Sequence, residues 1–365
     1  MQLESKRIFF ATSSIPESED DWKSVFIADM LKAFSLSFHE IIYWGPQGLT
    51  PKNVINSVRV SHQYYFRKLL DKGGIAKLLR QGSLFEKLFY PVFLLTSIRQ
   101  SAKQYSREFD VYFINWLQNS ITLPNDGKDL VITVLGTDLG LLKKPLMKAL
   151  LRRVFKQHKT FLLPNAHWMS EELNNAFGDL AEILPLQLGI RDDWFELTKR
   201  ESSLWISVSR VTEQKVNKLL DLGSSFFKGK EKLILIGPNQ ENINLPEWIE
   251  MKGATTLDEL KDYWYPKAKA LIFLSEHNEG RPQTIIEAMA AGVPVICLDK
   301  PLYREFITSG ENGYLVKNSE DLKYALNKLK ESNHNESISI NSRSTIKNTV
   351  GGWNEYAKKV MAIVE

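Results

Sequence analysis

The sequence predicts an α/β protein made of two doubly wound, parallel-sheet domains, and three observations predict it. Short apolar runs alternate with helical-period stretches along all 365 residues. Most of those runs are continuously apolar, the pattern of parallel strands buried on both faces. A break falls near Ile183–Asp193, where Pro185 and Gly189 precede the acidic pair Asp192 and Asp193. Strands are expected at Ile8–Thr12, Glu40–Trp44, Val111–Ile114, Val131–Leu135 and Phe161–Leu163 before the break. After it they are expected at Trp205–Val208, Leu233–Gly237, Leu271–Ser275 and Val293–Leu298. Helices between successive strands are the mark of doubly wound units. We assign residues 1–187 to a first domain, 188–345 to a second and 346–365 to a terminal helix. That helix is amphipathic, with Trp353, Tyr356, Ala357, Val360 and Val364 on one side. Two such domains facing each other leave a cleft beyond the strand carboxyl ends, where open α/β sheets bind ligands.

Composition narrows the function classes. At 43% hydrophobic and 25% charged, the chain is neither disordered, collagen-like nor coiled-coil. Its only cysteine, Cys297, excludes a disulfide framework and a Cys-based zinc site and points to a reducing compartment. No apolar run approaches the roughly 20 residues that span a bilayer; the longest candidate, Leu88 to Ile98, carries Pro91. Lys6 and Arg7 precede an apolar stretch of only Ile8 to Ala11, which reads as a strand rather than a signal peptide. A cytoplasmic protein is expected. The net charge of +4 is unevenly spread. Residues 51–110 hold eleven basic side chains against four acidic ones, with Tyr64, Tyr65, Phe66, Phe85, Phe89, Tyr90 and Phe93 interleaved. Residues 141–160 add seven basic groups and no acid. A basic, aromatic-rich surface fits an anionic membrane face; the alternative is a set of solvated helix faces with their aromatics in the core. No nucleic-acid motif accompanies the charge.

The chemistry concentrates between Ser275 and Ile296. An apolar strand ends in a polar loop containing Glu279, Gly280 and Pro282; helix formers follow to Ala291, then Gly292, Pro294 and a new strand. Pro282 suits the first helical turn, and Gly292 suits the residue after the last. A glycine-containing loop leading into a helix aims backbone N–H groups and the positive dipole end at an anion. Gly280 permits close approach, and Arg281, Gln283 and Thr284 carry N–H groups for donation, which Pro282 lacks. Glu279 and Glu287, with seven residues between them, are poor phosphate ligands because like charges repel. They suit hydroxyls on either side of the phosphates, on a sugar and a ribose.

This segment resembles the Glu-x7-Glu signature of retaining glycosyltransferases of the GT-B fold, of the glycosyltransferase family 4 kind. The fold implied is two Rossmann-like domains facing across a cleft, with Trp353 where the last helix crosses back to the first domain. The stretch Ser207 to Lys215 resembles the family's Arg and Lys element, so Arg210 and Lys215 inherit a grip on the diphosphate. Gly253 resembles the glycine near which backbone atoms meet the base. The segment Val131 to Asp138 resembles a strand-loop ending His-Gly-Thr-Asp, with Leu135 in place of the His. Gly136, Thr137 and Asp138 are then candidates for acceptor or donor contacts, and Asp138 alternatively for a plain cap. Ser13-Ser14-Ile15-Pro16 stands where the family carries a Gly-Gly loop, which makes Ser14 an acceptor-side candidate. His167 lies in a loop matching one that faces the cleft and reads as an acceptor contact or a structural histidine.

The resemblance implies transfer of a hexose from a nucleoside diphosphate sugar to a glycan or lipid-linked acceptor, with retention, in cell-surface polysaccharide or glycolipid synthesis. Glu279 would hold hexose hydroxyls and Glu287 ribose hydroxyls, with Arg210, Lys215 and Asp138 the other catalytic candidates. No cofactor is implied. With no Asp-x-Asp motif or His/Asp cluster in the sequence, no metal site is expected. The same features leave open a non-catalytic sugar-nucleotide binder or partner subunit. The expected location is cytoplasmic, either free or peripheral at the inner membrane face.

Overall fold

The computed structural model describes residues 6–19, 21, 24–196, 201–277 and 281–365. It divides into two compact units, Met1–Gly189 together with Trp353–Glu365, and Ile190–Gly352. The first is built on strands β1 (Arg7–Ala11), β2 (Glu40–Trp44), β3 (Val54–Asn56), β4 (Val111–Asn115), β5 (Asp129–Val134), β6 (Thr160–Pro164) and β7 (Ala181–Ile183). All pairings are parallel, in the order β3-β2-β1-β4-β5-β6-β7. The second unit carries β8 (Leu204–Val208), β9 (Leu233–Ile236), β10 (Ile249–Gly253), β11 (Ala268–Phe273), β12 (Val295–Leu298) and β13 (Tyr314–Val316). These are again parallel, in the order β10-β9-β8-β11-β12-β13. Strand order reverses between β1 and β4 and between β8 and β11, the positions where such sheets open a ligand crevice.

The nine apolar runs of the sequence are the interior strands of the two sheets. Helices on both faces cover them, so every residue of β4 and β6 is buried. In the first unit Phe10, Phe34, Tyr43 and Phe113 form the centre of the core, and each such side chain contributes about 2–3 kcal/mol by leaving water. Tyr356 of the helix Trp353–Val364 stacks on Phe34 with ring centroids 6.1 Å apart. The boundary expected at 346 shifts. Residues 346–349 finish the helix Ser332–Thr349 of the second unit, and the last helix begins at Trp353. Gly351, at φ +73°, breaks the chain between them. Cys297 lies within β12, fully buried, paired in register with Phe273 and Leu315.

Gly237 follows β9 at φ +141°, and a Cβ there would stand 2.0 Å from the Ser209 carbonyl oxygen. Gly229, at φ +73°, has open space around the same position. Gly229→Ala is expected to cost about 1 kcal/mol, from backbone strain alone. Gly237→Ala should cost at least about 3 kcal/mol, because strain and backbone overlap act together. Urea unfolding followed by tryptophan fluorescence measures both; equal losses would contradict the close approach.

Candidate functional site

The second sheet assembles its functional side chains from the carboxyl ends of β8 and β11. Beyond β8, the Ser209 N–H donates to the Ile236 carbonyl (3.0 Å) and the Val211 N–H to that of Pro238 (2.9 Å). The Gly237 N–H donates to the Gly253 carbonyl (2.6 Å). These bonds hold the turn carrying Arg210 beside Gly237, and bring Gly253, at φ +76° and the end of β10, into the same group. Arg210 is exposed, while its neighbour Val211 is buried and anchors the turn. The helix Glu213–Phe227 starts here, with Lys215 in its first turn. Lys215 Nζ lies 5.8 Å from the ring centroid of Phe273, the last residue of β11.

The loop after β11 is tied on two sides. The Glu276 N–H donates to the Gln214 carbonyl (2.8 Å), and His277 Nδ1 lies 3.0 Å from Gln214 Oε1. Lys300 Nζ donates to the His277 carbonyl (3.3 Å), and Ser275 Oγ accepts from the His277 N–H (3.3 Å). Glu279 and Gly280 lie outside the described residues. The chain resumes at Arg281, and Pro282 is the N-cap of the helix Gln283–Ala290 rather than part of its first turn. The Gln283 N–H is spent on the Arg281 carbonyl (3.0 Å), which removes it from the expected set of anion donors. Thr284 lies in the opening turn, where the first N–H groups of a helix have no intrahelical partner.

Glu287 is buried one turn into this helix, where Oε1 accepts from Gln283 Nε2 (2.7 Å). Arg281 in turn bonds to Gln283 Oε1. Tyr265, also buried, has its hydroxyl 3.5 Å from the Thr284 carbonyl. Burial, and then the charge of Glu287, push its phenol well above the ordinary value. Glu287 is therefore a packed carboxylate within a polar chain. Gln214 and Lys300 escaped the sequence analysis, because each acts here through a bond to the loop after β11. The one available signal was the position of Gln214 next to Lys215 at a helix start.

The first unit carries a different group at its own carboxyl edge. Gly136 has φ +95°, and Thr137 opens a 3-10 turn. Asp138 is buried and accepts from the Leu117 N–H (3.2 Å) and the Leu135 N–H (3.1 Å). Its two oxygens thus join the loops after β4 and β5. Neither bond caps the 3-10 turn itself, whose N-cap is Gly136. Ser14 Oγ shares a hydrogen bond with Ser24 Oγ (2.6 Å). His167 is exposed at the start of a 3-10 turn, whereas nearby Asn165 is buried. Trp116, just past β4, holds φ +67° and ψ 134°, a strained conformation for any residue with a Cβ.

Residues 196–345 match the family described as glycosyl transferases group 1. That match covers less than half of the chain. A 71-residue stretch is 37% identical to the UDP-N-acetylglucosamine–peptide N-acetylglucosaminyltransferase GtfA subunit of Streptococcus parasanguinis. That match spans 19% of this chain and 13% of the length of that relative. Among solved structures, sucrose-phosphate synthase from Thermosynechococcus elongatus superposes with a TM-score of 0.69 at 13% identity, covering 98% of each chain. Anabaena HepE in complex with UDP and glucose gives 0.64 at 13% identity, over 98% of this chain and 99% of that one. At such identities the likeness is one of fold: two doubly wound domains of the GT-B class, with the matched residues 196–345 falling in the second.

Burial raises the Asp138 carboxyl to about 6, against the opposing pull of the backbone N–H groups it accepts from. A carboxyl whose pKa is higher folded than unfolded binds its proton more tightly when folded. Stability from this group is therefore present below the unfolded value and lost as pH rises from about 4 to about 6. The expected loss is on the order of 3 kcal/mol. Asp138→Asn, which does not titrate, should lack that component when urea unfolding is compared with wild type across this range. Parallel pH profiles for the two proteins would contradict it.

Proposed function

We propose that the chain is a retaining, metal-independent glycosyltransferase that moves a hexose-type sugar from a nucleoside diphosphate sugar to a glycan or lipid-linked acceptor. The observation that carries this reading is the shared carboxyl edge of the second sheet. There a turn bearing Arg210 and Lys215 and the opening of the helix Gln283–Ala290 flank one loop, with Glu287 buried beside it. Two cations and a helix N-terminus suit a diphosphate. The names of the GtfA subunit relative and of the UDP-bound HepE structure support the donor class.

In this reading Arg210 and Lys215 bind the diphosphate, with the Thr284 N–H at the positive helix end. Glu287 accepts from ribose hydroxyls, Gly253 has open space where a side chain would stand and so leaves room for the base, and Glu279 accepts from hexose hydroxyls. The acceptor oxygen bonds to the anomeric carbon on the face from which the diphosphate departs. The acceptor proton passes to the departing phosphate oxygen, and the cations stabilise the charge that develops there. A second reading, a sugar-nucleotide binder without transfer, draws on Leu135, which packs against the first unit's core where the family's histidine stands.

Thermal-shift screening of UDP-sugars and other nucleotide sugars should find a donor that raises the melting temperature. Lys215→Ala should lower kcat by about 10²–10³-fold. Glu287→Gln, which keeps the volume, should weaken donor binding about tenfold or more with a smaller effect on kcat. Transfer, or slow donor hydrolysis where no acceptor is supplied, should persist in EDTA. Wild-type rates in both variants would overturn the site. Donor binding with neither transfer nor hydrolysis would select the second reading.

A further inference from the structure

We propose that the first unit docks on an anionic lipid bilayer through an outward apolar stripe of the helix Leu84–Gln104, ringed by cations of the preceding helices. The helix has apolar residues on two sides. Tyr90, Phe93, Leu94 and Ile98 are buried and account for its packing. The other side is not covered: Phe85, Leu88 and Val92 are 72%, 63% and 61% exposed, with Leu84 beside them. Residues 84, 88 and 92 follow one another at i+4 and form a single stripe. Soluble monomers rarely present such contiguous apolar surface without a use for it.

The stripe continues onto the helix Val60–Asp71. Phe85 stacks on Phe89 (5.6 Å between centroids), Phe89 meets Tyr65 (5.4 Å), and Tyr65 meets Tyr64 (5.5 Å). Tyr64 is itself 56% exposed. A groove lined by Tyr65, Lys68, Lys72, Phe85 and Phe89 joins the two helices. Lys68 Nζ lies 4.5 Å from the Tyr64 ring centroid, and the helix Gly74–Gln81 adds exposed Lys77 and Arg80 along with exposed Leu79. Of the acids here, Glu86 is paired with Lys72 and closes a capping box with Ser83, and Asp71 is exposed.

Charge selects the occupant. A second copy seated on this face would set one cationic rim against another. A neutral apolar partner would cover the stripe but offer exposed Lys77 no counter-charge. An anionic bilayer satisfies both parts, taking aromatic and aliphatic side chains at headgroup depth and lipid phosphates at the rim. Among the described residues no helix is long and apolar enough to cross a membrane, so the contact is a surface one. The inference stands apart from the transfer reaction, and its test uses no donor.

The full chain is sedimented with phosphatidylcholine vesicles with and without phosphatidylglycerol, at low and high salt. Binding should require phosphatidylglycerol and weaken about tenfold or more at high salt. Phe85→Ser with Leu88→Ser should reduce it about tenfold or more. Lys77→Glu with Arg80→Glu should reduce it about fivefold per charge. All substitutions lie on exposed positions, and circular dichroism checks that the variants fold. Equal binding to phosphatidylcholine alone, no binding, or undiminished binding by either variant overturns the proposal. So does light scattering that shows a dimer which Phe85→Ser with Leu88→Ser converts to a monomer.

Discussion

Both sheets obey one constraint: a parallel strand is followed by a crossover, so every strand leaves its sheet at the same edge. Strand order reverses once in each sheet, and there two neighbouring exits turn to opposite faces. In the second unit those exits belong to β8 and β11. The hydrogen bond from the Glu276 N–H to the Gln214 carbonyl is the direct product of that adjacency. Lys300, arriving after β12, closes the other side of the same loop.

The same topology produces two chemically different edges. The second unit's edge offers side-chain cations and a helix start, and one of its carboxylates, Glu287, is drawn inward by Gln283. The first unit's edge is closed by internal bonds. Asn115 Nδ2 reaches the Ala11 carbonyl (3.2 Å) while its Oδ1 accepts from Thr133 Oγ1 (2.8 Å), which ties β1, β4 and β5 together at their ends. Asp138 adds a buried acceptor to this arrangement, and Trp116 is held in strain beside it. One edge gathers cations and a helix start, whereas the other is stiffened around buried polar groups.

Apolar patterning in the sequence reaches the interior strands and stops at the edges. The strands not foreseen, β3, β7, β10 and β13, are the outermost of each sheet. They are three to five residues long and partly exposed, as in Ala181–Ile183. A strand paired on one side does not need a continuous apolar run, so its residues look like loop. The placing of Arg210, Lys215 and Glu287 toward one sheet edge was legible, because residue type and motif spacing carried it. The candidate site was not legible where a backbone group does the work, as at the Gln283 N–H. Similarly, Phe85 and Phe89 look alike in sequence; only the packed helix separates the exposed ring from the partly covered one.

The burial of Cys297 has a practical side. Its thiol sits in the middle of a sheet, and burial, with the charge of Asp299, drives its pKa well above the ordinary value. A thiol kept protonated and covered does not react with maleimides, because the thiolate is the nucleophile. Cysteines engineered onto the surface are thereby labelled without competition from Cys297. Fluorophore pairs, one on each unit, can be installed in the native background.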